Sequence, residues 1–427
     1  MTNFQLNYDD GVEELPAVEG TDKPFGFDVR KLLANTGQVT FDPGFANTAA
    51  CKSDICFIDG GAGILRYRGY PIDQLAGKAS FLEVSYLLIY GELPTQEQVD
   101  AFAGRIREHT LLHEDFKGFF NGFPSDAHPM PVLSSAVSGL STFYQDGLQV
   151  FDAEHVELAT VRLLAKLPTL AAYAYKKSIG QPFLYPDNSM GYVENFLRMT
   201  FGVPAEPYEV DPTVARVLDM LFVLHADHEQ NCSTSTVRMV GSAQANLFAS
   251  VSAGVSALFG PLHGGANQAV LEMLQRILDE GGDATDFMNR VKNKEPGVKL
   301  MGFGHRVYKN YDPRAAIVRD ATREVLDTLG VQDPMLDLAM KLEETALADD
   351  YFVERKLYPN VDFYTGVIYK AMGFPTKMFT VLFALGRLPG WIAHWREMIQ
   401  DPDTRIGRPR QIYTGPGERP FLAIGDR

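Results

Sequence analysis

Cysteine is scarce in this chain: three in 427 residues, at Cys51, Cys56 and Cys232. Three thiols cannot all pair within one chain, and no spacing among them suits a zinc site. A disulfide-built scaffold is therefore excluded, and a reducing compartment fits best. Basic charge is also in deficit, with 39 Lys and Arg against 54 Asp and Glu, a net of −15. So acidic a chain stays soluble and repels polyanions, which argues against nucleic acid as a partner. An anionic small substrate would need a locally basic site. No secretory signal is expected, since Met1 is followed by Thr2-Asn3-Phe4-Gln5 with no basic run and no apolar stretch. The expectation is a cytoplasmic protein.

No membrane span is expected either. Met239 to Leu271 contains no Asp, Glu, Lys or Arg. Yet it carries several Ser, Gln244, Asn246 and the break Gly260-Pro261-Leu262-His263-Gly264-Gly265. A span needs about 20 predominantly apolar residues. The stretch reads instead as a small-residue helix buried in a large helical protein and ending in a loop.

What is present is mostly helix punctuation. Two short apolar runs, Ile55 to Ile58 and Ile64 to Arg68, flank Asp59-Gly60-Gly61-Ala62-Gly63, which predicts a hairpin. After it, Ser80-Phe81-Leu82-Glu83 and Thr95-Gln96-Glu97-Gln98 have capping-box spacing. Asp211-Pro212 opens a helix whose apolar positions Val214, Val217, Leu218, Leu221 and Leu224 continue into His225 and His228. Asp312-Pro313 opens another that runs toward Gly330, and Asn360 caps one that stops near Gly373. The fold class is mainly α with a small N-terminal β element.

Three His-bearing segments and one Asp carry the candidate chemistry. His225 and His228, at i and i+3, share a helix face, and Glu229 follows them. A metal site is conceivable there, but the pattern is not His-Glu-x-x-His, and satisfied histidines at a helix end are the plainer alternative. His263 lies between a long uncharged stretch and an expected helix over Ala266 to Leu278. The positive end of that helix would bias it toward the neutral form. The stretch Lys299 to Arg314 holds four basic side chains and one acid, with Gly302 and Gly304 flanking Phe303 ahead of His305. Such a density of cations in an acidic protein points to an anionic ligand. Asp362, in Tyr358-Pro359-Asn360-Val361-Asp362-Phe363, is pulled two ways: burial would raise its pKa and a first-turn position would favour the carboxylate. That suits a general base, although a capping Asp is the simpler reading. Arg387 interrupts an apolar run, either snorkelling or reaching a buried anion. Together these residues suggest a helical enzyme acting beside a carbonyl of a multiply anionic substrate, with no metal.

At this point the sequence resembles the citrate synthase family, in its long bacterial form with an N-terminal β segment. The likeness runs from Phe41-Asp42-Pro43-Gly44-Phe45 to Arg408-Pro409-Arg410-Gln411. It is most specific at Arg68-Gly69-Tyr70-Pro71-Ile72, Gly260 to Asn267, Met301 to Arg314, Tyr358 to Phe363, and Gly390-Trp391-Ile392-Ala393-His394-Trp395. The resemblance implies condensation of acetyl-CoA with oxaloacetate and hydrolysis of citryl-CoA, the entry to the tricarboxylic acid cycle. It implies Asp362 as base, His263 as donor to the thioester carbonyl and His305 as donor to the keto oxygen. His228, His305, Arg314, Arg387 and Arg408 would hold oxaloacetate, Arg408 reaching in from a partner subunit. CoA would lie along Val298, Lys299, Leu300, Met301, Gly302 and Gly304. No cofactor is implied, acetyl-CoA being a substrate. The implied organisation is an N-terminal β-containing segment over 1–65, a large helical domain over 66–264 and 374–427, and a small helical domain over 265–373. The implied assembly is a homodimer as minimal unit, built into a homohexamer.

Two other readings stay open at this stage: 2-methylcitrate synthase using propionyl-CoA, and a metal-dependent hydrolase on His225, His228 and Glu229. One family pattern is not matched. Some long bacterial members are inhibited by NADH through a site with an Arg before a His-Thr pair and a Cys in Pro-Cys-Glu-Pro-Tyr. Here those places read Glu108-His109-Thr110 and Pro204-Ala205-Glu206-Pro207-Tyr208, while Tyr144, Arg162 and Lys166 match. Allosteric inhibition by NADH is therefore expected to be weak or absent.

Overall fold

The computed structural model describes residues 3–9, 11–305, 307–330 and 332–427. Arg306, one of the four cations in the basic stretch, lies outside them. Two compact units are formed, Met1–Ser53 with Gly407–Arg427, and Asp54–Ile406. In the first, β1 (Phe4–Tyr8) and β2 (Gly11–Leu15) make an antiparallel hairpin that pairs Phe4 with Leu15. β3 (Ala17–Val18) and β4 (Gly26–Phe27) form a second, and the Phe4 and Phe27 rings meet at 5.1 Å.

The second unit begins with the expected hairpin, β5 (Cys56–Asp59) against β6 (Ile64–Tyr67), extended by β7 (Tyr70–Pro71). Its inward residues Ile55, Ile58, Leu65 and Tyr67 are buried, so the hairpin is anchored in the helical core. Helices follow. Both capping boxes are formed: Ser80 starts α1 (Phe81–Tyr90) and Thr95 starts α2 (Gln96–Glu108). Each satisfies two backbone N–H groups that a helix start would otherwise leave bare. The described residues are dominated by helix, 54% against 7% strand, which makes the fold mainly α.

The core is organised around long buried helices. α3 (Ala153–Ser178) and α4 (Pro212–His225) lead to α5 (Cys232–Gly241) and α6 (Leu247–Leu258). α7 (Ala266–Asp279), α8 (Pro313–Leu329), α9 (Pro334–Ala348) and α10 (Val361–Ala371) come next. α11 (Phe379–Gln400) then runs back past α4, α5 and α6. The approach of α11 to the end of α4 needs a residue with no side chain: a Cβ at Gly390 would sit 2.3 Å from the Ala226 carbonyl oxygen. α8 packs on α10, and α10 on α7.

Two expectations are corrected. The uncharged stretch Met239 to Leu271 is not one buried helix. It spans the end of α5, a turn, and α6 capped by Asn246, whose side chain accepts from the Ala249 N–H. Asn246 breaks the run because its side chain replaces a helical carbonyl as acceptor. On α6, Ser256 is exposed, and beyond it Leu262 is fully exposed. The second correction is that α4 ends at His225, so His228 does not share its face. Among the described residues no helix is long and apolar enough to cross a membrane.

Candidate active site

After α4 the chain leaves the helix through Ala226 and Asp227, and Glu229 adopts a left-handed backbone, φ +49°. The three residues of the conceivable metal site therefore go separate ways. His225 Nδ1 lies 2.7 Å from the Leu221 carbonyl and acts as its donor. His228 Nε2 lies 3.3 Å from the Tyr308 hydroxyl. Glu229 accepts from the Ile58 N–H at 2.8 Å. Among the described residues no three His, Cys, Asp or Glu side chains are grouped to hold a metal ion. The hydrolase reading loses its site because the helix stops at His225, before His228 and Glu229 can line up on its face.

His263 sits in the turn before α7, whose N-cap is Gly265. Its Nε2 receives the Ser233 N–H at 3.2 Å and lies 2.9 Å from Ser233 Oγ. A ring nitrogen that accepts an N–H must present its lone pair, so the ring proton is on Nδ1. Ser233 is itself fixed at the start of α5: its Oγ accepts from Trp391 Nε1 at 3.1 Å and lies 2.8 Å from Asn231 Oδ1. Burial, with a smaller push from Arg387, takes the His263 pKa down to about 4. The ring is neutral as expected, but burial is the main cause rather than the helix end.

His305 is wired the other way round. Its Nδ1 accepts the N–H groups of Val307 at 3.0 Å and Tyr308 at 3.2 Å. The proton is therefore on Nε2. Burial first, then the Arg314 charge, lowers its pKa to about 4. The His228 and His305 rings lie 5.3 Å apart, and His305 and Tyr308 4.8 Å. Burial and Arg314 also hold His228 neutral, well below the usual imidazole range.

Asp312 caps α8 and grips Arg314 two residues on, through Nε at 3.0 Å and an Nη at 2.9 Å. Both side chains are buried. The same carboxylate accepts the Val361 N–H at 3.2 Å, which ties Arg314 to the start of α10. Asp362 is the next residue, and its N–H is capped by Asn360 Oδ1 at 3.0 Å. Burial raises its pKa to about 6, against the opposing pull of Arg314. A carboxylate that takes a proton near pH 6 is ionised at neutral pH yet basic enough to accept one.

Arg387 does not snorkel; it is 1% exposed. Its Nε donates to the His225 carbonyl at 2.6 Å, and its guanidinium lies 5.0 Å over the Phe383 ring. One of its Nη atoms is buried without a partner among the described residues. A buried guanidinium with a spare donor fits a carboxylate ligand. The Phe383 ring also lies 4.7 Å from His225 and 6.2 Å from His263. The charges of Arg314 and Arg387 both act on His228 and Asp362, so these groups form one electrostatic neighbourhood.

A family model described as "Citrate synthase, C-terminal domain" matches residues 44–410. The chain belongs to the citrate synthase family. It is 68% identical over 422 residues to citrate synthase 1 of Mycobacterium tuberculosis, covering 99% of this chain and 98% of the relative. It is 62% identical over 423 residues to the citrate synthase of Corynebacterium glutamicum, covering 99% and 97%. The citrate synthase structure from Pyrobaculum aerophilum matches with TM-score 0.82 and 35% identity over 99% of this chain and 98% of that one. That of Thermoplasma acidophilum, a ternary complex with carboxymethyl coenzyme A and oxaloacetate, matches with TM-score 0.82 and 28% identity over 91% and 100%. Membership of the citrate synthase family places the chain among acyltransferases that convert the acyl group to alkyl on transfer.

The remaining residues named from the citrate synthase resemblance are distributed unevenly. The loop Val298 to Gly304 is laced to the strand-like segment before Asp362. Gly304 N–H donates to the Tyr358 carbonyl at 2.8 Å, and Asn360 N–H to the Gly302 carbonyl at 2.9 Å. Asn360 Nδ2 adds a bond to the Gly304 carbonyl at 2.9 Å. Lys299 is exposed, while Val298, Leu300 and Met301 are half-buried. Arg408 is exposed, in irregular chain of the other compact unit. Sequence reasoning gave no role to Ser233, to Tyr308 and Trp391, or to the buried pair Asp227–His394, whose Oδ2 and Nε2 are 3.2 Å apart. For Ser233 the available signal was its place in an Asn-capped helix start. Nothing in the sequence linked it to a histidine 30 residues away.

Proposed function

We propose that this chain condenses acetyl-CoA with oxaloacetate and hydrolyses the resulting citryl-CoA to citrate and CoA. Asp362 takes a proton from the acetyl methyl group, and the electron pair of that C–H bond moves into the enol. His263 donates its Nδ1–H to the thioester oxygen. The methylene carbon then attacks the keto carbon of oxaloacetate. His305 donates its Nε2–H to the oxygen that gains charge, as an oxyanion hole does. Water then cleaves the thioester, releasing CoA as the thiol. Arg387, Arg314 and His228 hold the two carboxylates, with Arg408 supplied by a second copy of the chain. The segment Val298 to Gly304 holds CoA.

The observation that supports this reading most directly is the proton bookkeeping of the two histidines. Each is neutral, and each has its backbone-bonded nitrogen acting as acceptor, so that the other nitrogen is a donor. Two carbonyls have to be polarised without protonating either ring, and this arrangement does it with no metal. In this reading residues 265–373 form a small domain that closes on the rest to expel water, in a homodimer, built into a homohexamer, in the cytoplasm. The test is thiol release from acetyl-CoA in the presence of oxaloacetate, run beside propionyl-CoA. Release that requires oxaloacetate and favours acetyl-CoA supports the proposal. Preference for propionyl-CoA would point to 2-methylcitrate.

A further inference from the structure

The glycine-rich turn of the β5–β6 hairpin carries no role in the reaction above, yet it touches both walls of the site. On one side, Ile58 N–H donates to Glu229, next to His228. Tyr67, at the end of β6, has its hydroxyl 3.1 Å from the Asp227 carbonyl oxygen and 3.2 Å from the Asp227 nitrogen. On the other side, the Lys309 N–H donates to the Gly60 carbonyl at 2.7 Å. A Cβ at Gly60 would lie 2.1 Å from the Val307 carbonyl oxygen and 3.2 Å from the Tyr308 nitrogen. A Cβ at Gly63, where φ is +69°, would lie 2.9 Å from the Tyr311 carbonyl oxygen. Real Cβ atoms essentially never come that close to a backbone oxygen. The turn is therefore moulded, backbone to backbone, onto residues 307–311.

Those residues include the two whose N–H groups hold His305 Nδ1. We propose that the hairpin turn is the positioning element for His305, and that Gly60 is glycine so that the Val307–Lys309 backbone can seat on it. A side chain at Gly60 pushes that segment away. The N–H groups of Val307 and Tyr308 then leave Nδ1, and the donor at Nε2 loses both its tautomer and its aim. The effect falls on the oxaloacetate half of the reaction, because His263 is held by Ser233 on a different element.

This inference rests on the proposed function, and the experiment keeps the two apart. Wild type, Gly60→Ala and Gly61→Ala are compared for kcat and for the KM of each substrate. Gly61 serves as control in the same turn, since a Cβ there meets only its neighbour Asp59 Oδ1, at 3.3 Å. Gly60→Ala is expected to lose on the order of 10²-fold in kcat/KM for oxaloacetate, the cost of misplacing a reacting group by about 1 Å. Its KM for acetyl-CoA should change by less than about twofold, and Gly61→Ala should match wild type. NMR of labelled histidine reads the geometry without turnover: His305 should be a single Nε2–H tautomer in wild type and mixed in Gly60→Ala. A rise in the KM of acetyl-CoA as large as that of oxaloacetate, or an unchanged His305 signal in a slowed Gly60→Ala, overturns the inference. Should that variant fail to fold, Gly63→Ala takes its place with a smaller loss of the same pattern, and an absent loss, or an acetyl-CoA KM that rises as far as that of oxaloacetate, overturns it as well. No thiol release from wild type would sink the proposed function alone, leaving the NMR arm to judge the hairpin.

Discussion

His263 and His305 reach the same electrical state by opposite routes. One sits in a turn and leans on the start of a neighbouring helix, its Nε2 accepting from Ser233. The other folds back on its own segment, its Nδ1 accepting from Val307 and Tyr308. Both are half-buried, and in both the loss of solvent takes the ordinary imidazole pKa down to about 4. The lesson is that burial fixes the charge while backbone N–H groups fix which nitrogen carries the proton. Neither job can be done by the ring itself. His305 depends on local chain geometry, whereas His263 depends on a contact between elements, so the two should fail in different ways.

The largest effect is expected at the base that works between the two histidine-polarised carbonyls. Asp362→Asn leaves the cap from Asn360 in place and removes the only proposed base, so the variant should fold normally and lose about 10²–10⁴-fold in kcat. Steady-state kinetics on a variant with wild-type circular dichroism checks it, and near-normal turnover would remove Asp362 from the mechanism. The pH profile tests the same residue in the intact enzyme. Asp362 works ionised, so activity should fall as pH drops through about 6, where its raised pKa puts it. The histidines, with pKa values near 4, stay neutral through that window and contribute no limb to it. An acid limb of kcat/KM that persists near pH 6 in Asp362→Asn, measured on residual activity, would assign the titration elsewhere.

An intermediate effect should appear between subunits. Arg408→Ala and Asp362→Asn homo-oligomers should each be nearly inactive. After verified exchange, mixed assemblies should regain part of wild-type activity, because one site then holds an intact set. Exchange without recovery would place Arg408 outside the neighbouring site. A smaller effect separates the two histidines directly. Ser233→Ala removes the hydroxyl but keeps the N–H that sets the His263 tautomer. It should cost less than about tenfold in kcat, about one hydrogen bond's worth. A loss as large as that of Asp362→Asn would show that Oγ, not the backbone, governs His263.

These contrasts also explain what could be read from the sequence. Helix starts were legible because capping is local: Ser80 and Glu83, or Thr95 and Gln98, need only three residues to declare themselves. Asp312-Pro313 and Gly330 marked both ends of α8 for the same reason. The end of α4 was not legible, because apolar periodicity runs on through Leu224 and His225 while the break is made by tertiary contacts of Asp227 with Tyr67 and His394. The residues of the site were visible as types out of place, such as Arg387 in an apolar run. Their state was not, since Ser233 meets His263 only after α5 has packed against α11.

The smallest expected effect concerns NADH, and the structure strengthens the reason for it. Glu108, where an inhibited relative would carry Arg, is the exposed last residue of α2. The cations that match the inhibited pattern are already committed. Arg162 pairs with both oxygens of Asp146, at 2.5 and 2.9 Å. Lys166 is buried and donates to the carbonyls of His109 at 2.6 Å and Leu111 at 2.5 Å. Burial and the neighbouring Arg162 bring the Lys166 pKa down to about 7, so near neutrality much of its charge is absent. A pyrophosphate arriving here would have to displace Asp146, protonate Lys166 and tolerate Glu108. We therefore expect allosteric inhibition by NADH to be weak or absent when it is titrated at subsaturating acetyl-CoA near pH 7.5. Lowering the pH toward 6.5 restores the Lys166 charge and is the condition most favourable to inhibition. Glu108→Arg should gain sensitivity. Strong inhibition of the wild type that raising acetyl-CoA does not relieve would show that Arg162 and Lys166 exchange their present partners for the ligand at little cost.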